Sequence, residues 1–297
     1  MDLLVRLIGK LPKTWLLRAT HLRFRYPAIE PLLDWCLDLG LRGRDSVIQR
    51  GVGRGLRFNC DHGPISFVFG THEPGVQHAF ELFALPGMIV YDIGANLGFY
   101  CVILARLVGP TGRIVAFEPL PDNARWITHN AKLNGFEQIE VRCEALGRSE
   151  GNAEFIVSEK SMWGKLADAG PAPADAVGQI TVALRSLDDL VSAGAIAPPS
   201  LMKIDVEGAE VDVLTGAADM LRRCRPALIV DLHNTNAPVA ALLAELRYRP
   251  IVLGSSRGIL ESSWDACVVA VPGERDDLMP MLRHLAMEPA STDRASV

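Results

Sequence analysis

The chain has 297 residues, 49% of them hydrophobic and 22% charged, with a formal net charge of -5 at pH 7. That balance suits a folded chain with one large core and an extension; it argues against wholesale disorder and against general nucleic-acid binding. The charge is uneven, because residues 1–60 hold 11 Lys and Arg against 5 Asp and Glu, a net of +6, which leaves -11 for the remainder.

Residues 1–45 have helical spacing, with Leu4, Leu7, Ile8 and Leu11 on one stripe and Arg6, Lys10 and Lys13 off it, and Pro12, Pro27 and Pro31 divide them into short pieces. They read as a helical cap or as a basic amphipathic surface for peripheral contact with a membrane or a lipid-linked substrate. No apolar run is long enough to span a bilayer and no signal-peptide pattern opens the chain, so a cytoplasmic protein is expected. The six cysteines, at 36, 60, 101, 143, 224 and 267, form no Cys-x-x-Cys pair and fall mostly in apolar segments, as reduced core thiols do. Arg50-Gly51-Val52-Gly53-Arg54-Gly55 reads as a turn before a short hairpin over 56–69.

From Gly87 the pattern alternates: strand 88–92, helix 97–108, strand 113–118, helix 121–134, strand 138–143. Such alternation predicts an α/β fold with a doubly wound, mostly parallel sheet. A strand at 153–157 and a loop rich in Ala, Pro and Gly over 166–178 follow, the loop serving as a lid or as a surface excursion. Then come strand 180–184, strand 201–205, helix 209–222, strand 226–232, helix 237–246 and a closing hairpin, 249–253 with 265–271. The division expected is 1–85 as a helical and hairpin extension, 86–285 as the main domain and 286–297 as a frayed tail.

Two apolar strands flank the most informative turn. Asp92-Ile93-Gly94-Ala95-Asn96-Leu97-Gly98 leaves the first strand and opens a helix, where glycines let a ligand approach and unpaired N–H groups favour an anion. Asp92, and Asn96 where a dinucleotide fingerprint wants its second glycine, fit a pyrophosphate poorly. They suit a ligand with an ammonium, a sulfonium and one carboxylate, which S-adenosyl-L-methionine has. Glu118, 24 residues after Gly94 and ending the second strand, is placed to accept ribose hydroxyls, a role that NAD would use equally.

Leu201-Met202-Lys203-Ile204-Asp205-Val206-Glu207-Gly208-Ala209-Glu210 sets a base and three acids around another strand end and helix start. In a doubly wound sheet this strand lies beside the first, so Asp205 is expected on the same crevice as Asp92. Glu207 and Glu210 also suit capping of the following helix. Asp231 and His233 end the next strand two residues apart, on one side of an extended chain, and His233 is a candidate proton acceptor.

Together these residues resemble the FkbM-type S-adenosylmethionine-dependent methyltransferases. The matching pieces are Asp92 to Gly98, Ala116-Phe-Glu-Pro119, Asn130 with Asn134, Leu187-Asp188, Lys203 to Glu210 and Leu214-Thr-Gly-Ala217, over roughly residues 70–235. Where the family commonly closes a strand with a glutamate and a histidine, the acid here is Asp231. The resemblance implies a class I methyltransferase (Rossmann-like) fold with a seven-stranded sheet, and O-methylation of a hydroxyl on a glycan, lipid-linked or natural-product small molecule. The cofactor would be held at Asp92, Gly94, Ala95, Asn96, Gly98, Glu118, Pro119, Glu144, Ala145 and Asp205. The catalytic groups would be Asp205, His233, Glu207 and Lys203, with no metal expected, although Asp205, Glu207, Asp231 and His233 offer oxygen and nitrogen ligands for one. Two alternatives stay open: an NAD(P)-dependent oxidoreductase, and a catalytically silent protein of the same fold that scaffolds a complex. Self-association is also left open.

Overall fold

The computed structural model describes residues 40–41, 43–61, 63–158, 164–172 and 175–287. The helical stripe expected at the amino terminus, nearly all of the tail and parts of the 158–178 loop lie outside them. The chain divides into two compact units, residues 1–72 and 73–297.

In the first unit β1 (Ser46–Val47) pairs antiparallel with β2 (Arg57–Phe58), and α1 (Ser66–Phe69) follows. The hairpin expected over 56–69 is thereby corrected. The Arg50–Gly55 turn links β2 back to β1, because the Ile48 and Gly55 backbones bond across it, and 66–69 closes as a helix turn instead.

The second unit opens with α2 (Pro74–Phe83), which carries no strong sequence signal, and then follows the predicted alternation: β3 (Ile89–Ile93), α3 (Phe99–Val108), β4 (Arg113–Phe117), α4 (Pro121–Leu133) and β5 (Ile139–Arg142). The chain leaves the sheet for β6 (Ala145–Leu146), β7 (Gly151–Ser158), β8 (Lys165–Leu166) and β9 (Ala176–Arg185), then returns through α5 (Leu187–Ser192) to β10 (Leu201–Ile204). It ends with α6 (Glu210–Thr215), α7 (Ala218–Cys224), β11 (Ala227–Asp231), α8 (Asn236–Glu245), β12 (Tyr248–Val252), β13 (Cys267–Pro272) and α9 (Met279–Met287).

The seven-stranded sheet runs β12-β13-β11-β10-β3-β4-β5, parallel from β11 to β5. β13 is antiparallel to both neighbours and lies between β11 and β12, so the closing pair is a hairpin whose last strand sits inboard. Strand order reverses direction between β3 and β10. Their carboxyl ends therefore flank the crevice where open α/β sheets bind ligands.

Residue alternation assigns the two faces. Tyr91, Ile93, Val115, Phe117, Met202, Ile204, Leu228 and Val230 share one buried cluster with Leu214, Met220 and Leu243 of the helices. Asp92, Lys203 and Asp231 take the opposite parity, and their side chains meet α3, where Cys101 bonds Asp92 and the Tyr100 ring underlies Lys203.

Two expectations change here. The 166–178 segment is not wholly loop: residues 167–169 form a 3-10 turn, β8 pairs with β7, and β9 begins at Ala176, these strands lying in a second sheet ordered β6-β9-β7-β8 that also takes the strand read at 180–184. Ladder bonding from β7 overrides a composition that lacks core-forming side chains. The single helix expected over 209–222 is two, because the Asp188 carboxylate accepts the Asp219 and Met220 N–H groups and starts α7 afresh. Among the described residues no helix is long and apolar enough to cross a membrane, and Cys60, Cys101, Cys143, Cys224 and Cys267 are free thiols.

Candidate functional site

The turn after β3 and the segment after β10 meet through backbone. Gly94 has φ 82°, and a Cβ there would stand 1.8 Å from the Asp205 carbonyl oxygen, so any side chain would drive the two strand ends apart. The Asp205 N–H donates to the Ile93 carbonyl, which locks the same junction.

On the β3 and β4 side the acids are closed in. Asp92 is 1% exposed and accepts a bond from the Cys101 thiol at 3.0 Å; burial pushes its carboxyl up to about 6 against the thiol bond and the Lys203 charge. Glu118, 5% exposed, accepts from the Asn96 and Leu120 N–H groups, each at 2.9 Å, and from Asn123 Nδ2. Burial pushes it up to about 7 despite those three donors. They occupy most of the roughly four acceptor positions of a carboxylate, so a ribose must displace one or share. Asn96 itself lies at φ 50°, its Oδ1 accepting the Leu97 N–H.

The helix that follows, α3, has no side-chain cap at its amino terminus, the end of a helix that favours an anion. Asn130 Nδ2 bonds the Leu97 carbonyl from α4, and Asn134 Nδ2 bonds the Asn130 carbonyl, so this pair braces the turn. Farther along the rim, the Glu144 carboxylate is engaged by Arg142 and Arg185, while Ala145 lies in β6 and Pro119 offers its carbonyl to the Cys143 thiol.

The β10 and β11 side is built on a buried cation. Lys203 has no exposed surface; its ammonium bonds Asp231 and lies 3.3 Å from Asp205 Oδ2, with the Tyr100 ring centroid 5.6 Å away. Expected among the catalytic groups, Lys203 stands beneath the rim as the counter-charge of two acids. Burial alone would raise Asp205, but the charges of Lys203 and then His233 outweigh it and hold its carboxyl down at about 2.

His233 is reached from three sides. Its Nδ1 is 2.8 Å from Glu210 Oε1, and its Nε2 is 3.7 Å from Asp205 Oδ1 and 3.6 Å from Glu207 Oε2. Burial lowers its pKa, yet the Glu210 hydrogen bond and the charges of Asp205 and Glu207 prevail and push it up to about 9. Glu207, at φ 53°, is pushed by burial up to about 7 against the pull of His233. Glu210, expected as a cap, is wholly buried; it accepts from the Gly208 N–H and His233 through Oε1 and from the Thr235 hydroxyl through Oε2. Sequence reasoning passed over it as an orienter, because as the first residue of α6 it carries no signal beyond that of a cap.

The second sheet reaches this rim. Gly208 has φ 106°, and a Cβ there would stand 2.5 Å from the Ala169 carbonyl oxygen, so the 3-10 turn after β8 lies directly on the Glu207–Gly208 backbone.

A parallel sheet with strand order reversing at β3 and β10, an inboard antiparallel β13 and a glycine turn opposite an acidic strand end define a class I methyltransferase fold. The chain belongs to the methyltransferase FkbM domain family, whose model matches residues 92–250, and the oxidoreductase alternative is set aside. The hexuronic acid methyltransferase AglP of Haloferax volcanii is 30% identical over 54% of this chain and 62% of its own length. The 31-O-demethyl-FK506 methyltransferase FkbM of Streptomyces tacrolimicus is 25% identical over 58% of this chain and 75% of its own length. The chain thus spans less than two thirds of the first of these. A crystal structure of a methyltransferase FkbM from Methylobacillus flagellatus KT aligns at 18% identity and a TM-score of 0.43, covering 62% of this chain and 43% of the other.

Proposed function

We propose that this protein uses S-adenosylmethionine to methylate a hydroxyl oxygen of a glycan, a lipid-linked sugar or a natural-product small molecule. The observation that carries the reading is the backbone junction of Gly94 with Asp205, which makes the glycine turn and the Asp205–Glu207–His233 cluster two walls of one crevice. The names of the relatives, one acting on a hexuronic acid and one on an FK506 derivative, support an oxygen acceptor on a sugar or natural product.

The residues fit the cofactor by charge. Gly94, Ala95, Asn96 and Gly98 with the uncapped start of α3 would take the methionine carboxylate, and Asp92 its ammonium. Glu118 would take the ribose hydroxyls; the adenine would lie along Pro119, Glu144 and Ala145, where Glu144 offers backbone because its carboxylate is held by arginines. Bound there, the cofactor supplies an electrophilic methyl on a sulfonium.

What the chain does is hold the acceptor oxygen in line and receive its proton. The acceptor oxygen would take the methyl group with S-adenosylhomocysteine as the other product, and its proton would pass to the Asp205–Glu207–His233 cluster, where Glu207, its carboxyl pushed up to about 7, is the group suited to accept it near neutral pH. Lys203 keeps Asp205 ionised and Glu210 keeps the imidazole aimed outward.

Calorimetry with S-adenosylmethionine and S-adenosylhomocysteine tests the cofactor half: binding to the wild type, weakened in Glu118→Ala, is expected, and no binding of either overturns it. Mass spectrometry for one added methyl group across hydroxyl-bearing and carboxyl-bearing sugars and small metabolites tests the acceptor half. Methylation confined to nitrogen or carbon acceptors would overturn the O-methyl reading.

A further inference from the structure

We propose that Asp205 Oδ1, Glu207 Oε2 and His233 Nε2 together hold one divalent cation, and that the acceptor oxygen completes its coordination shell. The second clause rests on the function proposed above, whereas the first stands on the site alone. It replaces the expectation of no metal.

The three atoms lie within 4.8 Å of one another, and Nε2 stands 3.7 and 3.6 Å from the two oxygens. Two ligands each about 2.1 Å from one ion are about 3.0 Å apart at a right angle and about 3.4 Å apart at the tetrahedral angle. A shift of a few tenths of an ångström about the histidine therefore brings these pairs to ligating distance. All three side chains keep part of their surface open, which leaves positions on an ion for a substrate oxygen.

The imidazole is oriented as a ligand. Its Nδ1 is committed to Glu210, a wholly buried carboxylate that is itself fixed by Thr235 and the Gly208 N–H, so only Nε2 faces the two acids. A carboxylate behind the far nitrogen sets ring direction and tautomer in metal sites and raises ligand basicity.

A separate observation lies behind the triad. Asp231 is buried and shares the Lys203 ammonium with Asp205, and its Oδ1 has no N–H or O–H donor, the weakly donating Cys267 thiol being the group beside this carboxylate. Four carboxylates, those of Asp205, Glu207, Glu210 and Asp231, thus surround one ammonium and one imidazole, a deficit of positive charge that a dication reduces. Two carboxylate oxygens with one imidazole suit a cation of intermediate hardness, so Mn2+ is the probe and Mg2+ the second arm.

The test uses the full chain after treatment with a chelator, titrated with MnCl2 by calorimetry and by loss of the free-Mn2+ electron paramagnetic resonance signal. One Mn2+ per chain is expected, with affinity at least tenfold weaker in Asp205→Asn and Glu207→Gln, and about tenfold to a hundredfold weaker in Glu210→Gln. Selective paramagnetic broadening of the His233 imidazole resonances in the wild type gives a readout that needs no substitution. The cation site is overturned if wild-type protein that binds S-adenosylhomocysteine shows no saturable Mn2+ or Mg2+ binding, or if the three variants, folded by circular dichroism, bind Mn2+ as the wild type does. Mn2+ bound at the triad without any cofactor affinity would instead leave the cation site standing and remove the methyltransferase reading.

Discussion

Both walls of the crevice end strands in acids, and the walls differ in what surrounds those acids. Around Asp92 and Glu118 the neighbours are backbone N–H groups, a thiol and an amide, and burial pushes both carboxyls up, to about 6 and about 7. Around Asp205 the neighbours are a buried ammonium and an imidazole, and the carboxyl falls to about 2. The same residue type at equivalent strand ends is thus a hydrogen-bonding acceptor on one wall and a fixed negative charge on the other. Lys203, in register between Asp92 on β3 and Ile229 on β11, lowers both carboxyls; at Asp205 its ammonium, 3.3 Å from Oδ2, together with the His233 charge outweighs burial, whereas at Asp92 burial prevails.

The severest way to break this contrast is Lys203→Met. It strips the buried Asp231 and the half-buried Asp205 of their cation, and a loss of about 3–5 kcal/mol is expected in chemical denaturation. A loss below about 1 kcal/mol would show that the ammonium does not sustain that wall. Next, His233→Asn should lower turnover about a hundredfold or more while leaving S-adenosylhomocysteine affinity within about twofold, because it touches one wall only. A parallel loss of cofactor affinity would merge the two walls into one structural unit.

A pH series sharpens the comparison further. In chelator-treated protein His233 has its folded-state pKa raised, from an unfolded value near 6.5 to about 9. Its contribution is therefore fully present below about pH 6.5 and lost as pH rises to about 9, an amount of up to about 3 kcal/mol. Thermal unfolding should show that fall, flattened in His233→Asn; an equal fall in the variant would assign it elsewhere. The smallest effect is expected on the other wall, where Glu118→Ala should weaken cofactor binding about tenfold by calorimetry, a change of about 1.4 kcal/mol.

Much of the second unit was legible because strand and helix periods differ and glycines punctuate them. Asp92 to Gly98, Glu118 and Lys203 to Glu210 all stand at strand ends, as alternation predicted, and β10 does lie beside β3. The failures have particular causes. The 166–178 segment reads as loop, and the strand after it as 180–184 alone, because the order of Lys165–Leu166 and Ala176–Arg185 comes from pairing with β7, a contact that composition does not encode. The break between α6 and α7 was invisible because the Asp188 cap arrives from about thirty residues earlier. Glu210 was read as a local cap, whereas its partners His233 and Thr235 stand on another strand's exit.

The amino-acid order by itself determined the α/β class, the parallel sheet, the family and which strand ends carry acids, since all of these follow from local periodicity and short motifs. Only the tertiary structure decided the state and role of each acid. Ionisation depends on burial and on charges brought together from distant positions, and Lys203, Asp231, His233 and Glu210 meet only when β10 and β11 lie side by side.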